Sequence, residues 1–277
     1  MHSAAVMRAM YSFDPNVWIR GMGGSHLRKA GVDTIVDSEK YGALNGLNIP
    51  LLLLRSIGAF FKMARLLWVW KPHLLIVTDY PDFNLRLARL AAGLFSVPVL
   101  YFIPPKLWAW RTSRIKIIKR VVDRLVLILP FEKNFYESLG YNRAIYVGHP
   151  FADMFKPIRA DGFSKNEFLK SLGLDPDNPV IALLPGSRAS EVKRHLPLAL
   201  AGLEHLRQTH PDLQTVLVAA PGVNIAHIKA LVGKRAWIKI YHGSALDVMR
   251  SATAGLLKCG TCNLEAAYLD LPFVCFY

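Results

Sequence analysis

The feature that most constrains the fold of this chain is a succession of short, continuously apolar runs separated by longer stretches with helical spacing. In the first half the runs fall at residues 17–20, 74–78, 99–102, 125–129 and 144–147; in the second they fall at 180–184, 215–219, 238–241, 254–257 and 273–275. A strand that shows no polar side along its length is buried on both faces, as in a parallel sheet covered by helices. Helical patterns at 2–10, 83–94, 131–139, 197–209 and 264–268 separate several of the runs and supply crossovers. The expected fold class is therefore α/β, with two doubly wound parallel domains. A stretch rich in Pro, Asp, Lys and Asn at 150–179, around a short helix at 165–172, reads as the connection between them. The expected bounds are 1–155 and 156–277, and 277 residues suffice for two separate cores. Ligands are expected at the carboxyl ends of the strands and in the cleft between the domains.

Hydrophobic residues make up 52% of the chain and charged ones 19%, which excludes intrinsic disorder. Three cysteines exclude a disulfide scaffold, and Cys259-x-x-Cys262 has no second pair to complete a zinc site. A reducing cytoplasmic setting fits this usage. No metal and no cofactor is expected. The 34 lysines and arginines outnumber the 20 acids, giving a net charge of +14 and pointing to an acidic partner: a phosphorylated small molecule, an anionic lipid or nucleic acid. Arg111, Arg114, Lys116, Lys119 and Arg120 form a basic cluster after Trp108 and Trp110, but no nucleic-acid recognition module accompanies it. The opening MHSAAVMRAM lacks the apolar core of a signal peptide. The chain begins in a helix-like segment and stops in or just after a strand, so pieces are expected to be missing at both ends.

Four segments can carry chemistry. In Leu183-Leu184-Pro185-Gly186-Ser187-Arg188-Ala189-Ser190-Glu191, a strand gives way to a helix through a turn able to hold an anion. Gly186 lets a ligand approach the backbone, Ser187 donates, and Arg188 offers a two-pronged charged donor. An ordinary turn capped by Ser187 or Ser190, with Glu191 closing a capping box, is equally compatible. Lys258-Cys259-Gly260-Thr261-Cys262-Asn263-Leu264-Glu265 repeats the design, with Glu265 placed to accept from ribose hydroxyls or merely to favour a helix start with Thr261 as cap. In Thr78-Asp79-Tyr80-Pro81-Asp82-Phe83-Asn84, Asp82 reads as an N-cap, whereas Asp79 lies at a strand tip where a carboxylate can act as a base or can hold loop amides. Residues 51–70 form a mostly apolar helix on which Arg55, Lys62 and Arg65 fall within about 80° of one another. Such a helix lies in a membrane interface or packs in a core with one solvated stripe. Gly21-Met22-Gly23-Gly24 reads as a glycine turn too short for a dinucleotide fingerprint.

Pro104-Pro105-Lys106-Leu107-Trp108-Ala109-Trp110-Arg111, followed by Leu129-Pro130-Phe131-Glu132 and Val147-Gly148-His149-Pro150, resembles the lipid-A-disaccharide synthase family. The Asp79–Asn84, Leu184–Glu191 and Gly260–Glu265 runs agree in order, so the resemblance spans essentially the whole chain. It implies two Rossmann-like domains of the GT-B class, the first facing acceptor and membrane and the second binding a UDP-sugar. The implied reaction joins the diacylated glucosamine of a UDP derivative to diacylglucosamine 1-phosphate through a β-1,6 linkage, with inversion, release of UDP and no metal. Asp79 is then the expected base. Gly186, Ser187, Arg188, Glu191, Gly260, Thr261, Asn263 and Glu265 are the expected donor residues. Leu51, Leu54, Arg55, Phe60, Phe61, Lys62, Arg65 and Trp68 face membrane or acyl chains. The implied partners are the two lipid substrates, an anionic membrane surface on the cytoplasmic side of the inner membrane, and a second copy of the chain as a homodimer. The family's opening Gly-Glu-x-Ser-Gly-Asp loop and its portion past Tyr277 have no counterpart here, and Pro104 stands where some members have Ser. Another UDP-sugar transferase, an epimerase of the same fold, and a non-catalytic lipid-binding relative are the alternatives.

Overall fold

In the computed structural model, the described residues are 2–39, 49–159 and 162–277, without the side chains of 49–54 and 159. The chain divides into two compact units, Met1–Pro150 and Phe151–Tyr277.

In the first unit, β1 (Arg20–Gly23) and β2 (Asp33–Asp37) form a parallel pair. A separate parallel sheet runs β3 (Leu75–Thr78), β4 (Val99–Phe102), β5 (Arg124–Leu127), β6 (Ala144–Tyr146) in spatial order. Parallel neighbours need crossovers, and helices Pro81–Leu94, Ile115–Val121 and Pro130–Ser138 provide them. The core sets Val77, Val99, Tyr101, Leu125 and Leu127 of the sheet against Ala59, Met63 and Leu67 of helix Ile49–Trp70 and Leu85, Ala88 and Ala91 of helix Pro81–Leu94. Pairing Thr78 with Phe102 leaves the tips of β3 and β4 level.

The expected strand at 17–20 lies three residues later and runs through the expected glycine turn. Close packing explains the glycines at the end of the strand and at the cap that follows it. A Cβ on Gly23 would collide with Leu27 of the returning helix Ser25–Lys29, and one on Gly24 would stand 2.6 Å from Glu39 Oε1. β2 escaped the sequence reading because it is bounded by Asp33 and Asp37, and Val36 alone of its residues is buried.

In the second unit, β7 (Val180–Leu184), β8 (Gln214–Val218), β9 (Ile238–Tyr241), β10 (Ala254–Lys258) and β11 (Phe273–Phe276) form one parallel sheet in the order β11-β10-β7-β8-β9. Its central strand β7 is apolar throughout because both faces are covered. Leu183 and Leu217 pack on Val192, Leu196 and Leu203 of helix Ala189–Thr209. Val180, Ala182, Val216 and Val218 pack the other way, with Leu169, Val248 and Ala266. From β7 the chain winds outward to β9, then returns to the other side of β7 as β10. Between β7 and β10 the winding reverses, and such a switch point leaves a crevice at the carboxyl ends of the strands. Helix Phe151–Arg159 belongs to this unit, with Phe151 and Phe155 packed on Tyr268.

Candidate active site

Past β3 the backbone takes two consecutive left-handed residues, Asp79 (φ 49°) and Tyr80 (φ 39°). Each costs about 1–3 kcal/mol in a side-chain-bearing residue and persists only where neighbours impose it. The imposing groups are identifiable. Asn84 Nδ2 donates to the carbonyls of Thr78 (2.9 Å) and Asp79 (2.7 Å), and the Tyr101 hydroxyl donates to Asp79 O at 2.7 Å. The Asp79 N–H donates to Ile103 O across the strand tips at 3.2 Å. Tyr101 is fully buried, and burial pushes its phenol far above the ordinary range, so it remains a donor. These bonds use only the Asp79 backbone. Its carboxylate is exposed and, among the described residues, has no hydrogen-bond or ion-pair partner.

Asp82 has a different task from the cap expected of it. Tyr80 occupies the N-cap position, and Asp82 pairs with Arg114 and, at 3.4 Å, with Arg111. That pairing ties the segment after β4 to helix Pro81–Leu94. Two further braces hold the same segment. The Tyr136 hydroxyl donates to Pro105 O at 2.9 Å, and the buried Glu132 accepts from Trp108 Nε1 (3.3 Å) and the Leu129 N–H (3.2 Å). Trp108 also meets Phe131 edge-on at 5.2 Å. The proline- and tryptophan-rich run is thus a rigid shelf beside the Asp79 turn. At the carboxyl end of β6, His149 stacks edge-on against His2 at 5.9 Å, and burial lowers the pKa of both rings. Sequence reasoning missed Asn84, Tyr101 and Glu132 as supports. Glu132, three residues past Leu129 at a helix start, carried a readable capping signal.

In the second unit both glycine turns leave the switch point, one from β7 and one from β10, which are hydrogen-bonded neighbours. Gly186 has φ 135°, and a Cβ there would lie 2.6 Å from Glu191 Cβ, so only glycine fits. Glu191 folds back over the turn. It accepts from the amides of Ser187 (2.9 Å) and Arg188 (3.2 Å) and pairs with Lys258 at 3.1 Å, linking the two turns. Burial alone would raise its carboxyl, but Lys258 and the two amides outweigh burial and hold it below the ordinary range. Glu191 therefore closes the capping box that the sequence offered as one of the two readings of this turn. Ser187 and Arg188 are exposed. The Arg188 side chain is 74% exposed and touches Glu191 only at 3.4 Å. Neither Ser187 nor Ser190 caps the helix, since Arg188 holds that position.

At the second turn the cap is Gly260 rather than Thr261, and Asn263 Oδ1 accepts from the Gly260 N–H at 3.1 Å. A Cβ on Gly260 would meet nothing closer than 3.9 Å, which leaves the approach to this turn open. Thr261 is exposed, and Glu265 is half-buried, with burial raising its pKa. Cys262 donates to Lys258 O at 3.3 Å, and burial pushes its thiol up to about 11. Among the described residues no group of three His, Cys, Asp or Glu side chains could hold a metal ion.

Helix Ile49–Trp70 buries Ala59, Met63 and Leu67 and exposes Arg55, Phe61, Lys62, Arg65 and Trp68. Phe60 turns inward, packing on the core and edge-on to Phe83 at 5.9 Å, so it leaves the expected lipid-facing set. Leu51 and Leu54 lie outside the described side chains. Among the described residues no helix is long and apolar enough to cross a membrane.

The model of the lipid-A-disaccharide synthetase family matches residues 1–277. The lipid-A-disaccharide synthase of Geobacter sulfurreducens is 37% identical over 278 residues, covering all of this chain and 71% of that protein. Lipid-A-disaccharide synthase 1 of Legionella pneumophila (strain Paris) is 38% identical, with the same coverage of both chains. Among solved structures, the S. aureus MnaA-UDP co-structure superposes with a TM-score of 0.63 at 13% identity, over 92% of this chain and 78% of that one. The UDP-GlcNAc 2-epimerase from Neisseria meningitidis bound to UDP-GlcNAc gives 0.60 at 13% identity, over 94% and 82%. The structural likeness shows the fold, two Rossmann-like units of the GT-B class, and the sequence matches show the lineage: this chain belongs to the lipid-A-disaccharide synthase family of glycosyltransferases.

Proposed function

We propose that the chain transfers a 2,3-diacylglucosamine from its UDP derivative onto 2,3-diacylglucosamine 1-phosphate, forming a β-1,6 linkage with inversion and releasing UDP. The observation that carries this reading is the exposed, unpartnered Asp79 carboxylate on a backbone bent at some cost and pinned by Asn84 and Tyr101. A sugar hydroxyl is a weak nucleophile at neutral pH, and a carboxylate within reach removes its proton as the oxygen attacks. In the proposed step the acceptor's 6-hydroxyl oxygen bonds to the anomeric carbon, the proton passes to Asp79, and the bond from that carbon to the diphosphate oxygen breaks. The electron pair leaves with UDP.

Arg188 meets the growing negative charge on the diphosphate, and the amide end of helix Thr261–Tyr268 adds its positive pole. Ser187, Gly186, Gly260 and Thr261 form the walls that the phosphates pass. Asn263 and Glu191 fix the two turns, and Glu265 accepts from the ribose hydroxyls. This charge compensation requires no metal. The exposed apolar and basic side of helix Ile49–Trp70 rests on the anionic cytoplasmic surface of the inner membrane, where both lipid substrates reside. A homodimer remains part of the reading as a partner of the same chain.

The test is Asp79→Asn, which keeps size and removes the base. We expect a transfer rate lower by about 10²–10⁴, with UDP affinity and thermal stability unchanged. A near-normal rate would take the chemistry away from Asp79.

A further inference from the structure

An open groove of about 1270 Å³ lies at the end of the first unit's sheet opposite Asp79. The segments entering β3 and β4 line it, and its sides are the last turns of helices Ile49–Trp70 and Pro81–Leu94. Trp68, Leu90 and Leu94 form apolar walls, while Arg65, Lys71 and His73 stand among them. Trp68 is 66% exposed and Leu94 is 69% exposed, an unusual outlay of large apolar surface. The groove exceeds the roughly 300–1,000 Å³ of a site for a compact metabolite.

Charge complementarity names the occupant. From Lys40 to Val122 the chain carries thirteen lysines and arginines against two carboxylates, Asp79 and Asp82. Both carboxylates lie at the far edge of the sheet, and Asp82 is already paired with Arg111 and Arg114. No acid of this segment therefore competes for the cations of the groove. An apolar trough lined by Arg65, Lys71 and His73, with no carboxylate among its lining residues, matches a molecule with a phosphate at one end and hydrocarbon at the other.

We propose that this groove is a seat for a single anionic phospholipid, with its phosphate held by Arg65, Lys71 and His73 and an acyl chain laid between Trp68 and Leu94. The seat is separate from the reacting centre, which lies at the opposite strand ends, and it anchors the first unit to its membrane. The proposal rests on the membrane part of the reading above and adds to diffuse surface attraction a defined, saturable site.

The experiment titrates the protein with monomeric short-chain phosphatidylglycerol, phosphatidylcholine and inorganic phosphate, following fluorescence that Trp68→Phe removes. We expect saturable one-to-one binding of phosphatidylglycerol, at least tenfold weaker for phosphatidylcholine. Lys71→Glu/His73→Glu should abolish it, Leu94→Asn should weaken it several-fold, and UDP affinity should be unchanged in both variants. Equal affinity for phosphatidylcholine, equal competition by inorganic phosphate, or a titration that never saturates would each overturn the seat. Vesicle flotation separates its failure from that of the broader membrane reading. If Arg55→Glu/Lys62→Glu releases the protein while Lys71→Glu/His73→Glu does not, surface attraction stands and the seat falls. If neither releases it, both fall.

Discussion

Asp79 and Glu191 are carboxylates near strand tips in sheets of the same kind, yet their surroundings give them different work. Glu191 is satisfied by two amides and Lys258, which makes it part of the turn; Asp79 has its backbone fixed and its carboxylate left over. The sequence placed both at the right edge of their sheets, because a strand signal followed by a turn locates a tip. It could not sort them, since Glu191's partner Lys258 lies three crossovers further along the chain and Tyr101 reaches Asp79 from the neighbouring strand, distances that no local spacing records. Arg188 follows from the same comparison. With Glu191 occupying the turn's amides, the exposed guanidinium is the group of the first turn that we propose for the diphosphate. Arg188→Ala should weaken UDP binding by about 1.5–3 kcal/mol, read by calorimetry. Unchanged affinity would remove Arg188 from the donor site.

At the scale of elements, the second unit's strands were readable because covered faces keep them mainly apolar, most fully in β7, where Val180 to Leu184 carry no polar residue. The β1–β2 pair was not, because its glycines imitate a turn and its one buried residue, Val36, gives no pattern. Glu191 closes the start of helix Ala189–Thr209, and its folded-state pKa is depressed. Its contribution is therefore present above the ordinary carboxylate range and is lost as pH falls through the lowered value. Glu191→Gln should cost about 1 kcal/mol in urea unfolding at neutral pH, a difference that closes as pH falls below the ordinary carboxylate range. A difference that persists in acid would show that packing rather than charge is at stake. Reversing Arg55, Lys62 and Arg65 to Glu on helix Ile49–Trp70 should release the protein from anionic vesicles, at about 1 kcal/mol for each residue, with wild-type binding weakened by salt. Binding indifferent to both would make that side of the helix an ordinary solvated stripe.

For the whole molecule, the net charge of +14 is unevenly spread, and the segment from Lys40 to Val122 carries the larger part of the excess. The division of labour proposed here follows from that asymmetry: the first unit meets anionic lipid and supplies the base, and the second holds the nucleotide at its switch point. The central claim is tested most directly by supplying the purified protein with UDP-2,3-diacylglucosamine and 2,3-diacylglucosamine 1-phosphate in mixed micelles and following both products by mass spectrometry. We expect a tetra-acylated disaccharide 1-phosphate with a new β-1,6 bond, formed in step with one UDP for each linkage. Conversion of the UDP-sugar into an epimer, or release of UDP without disaccharide, would contradict it.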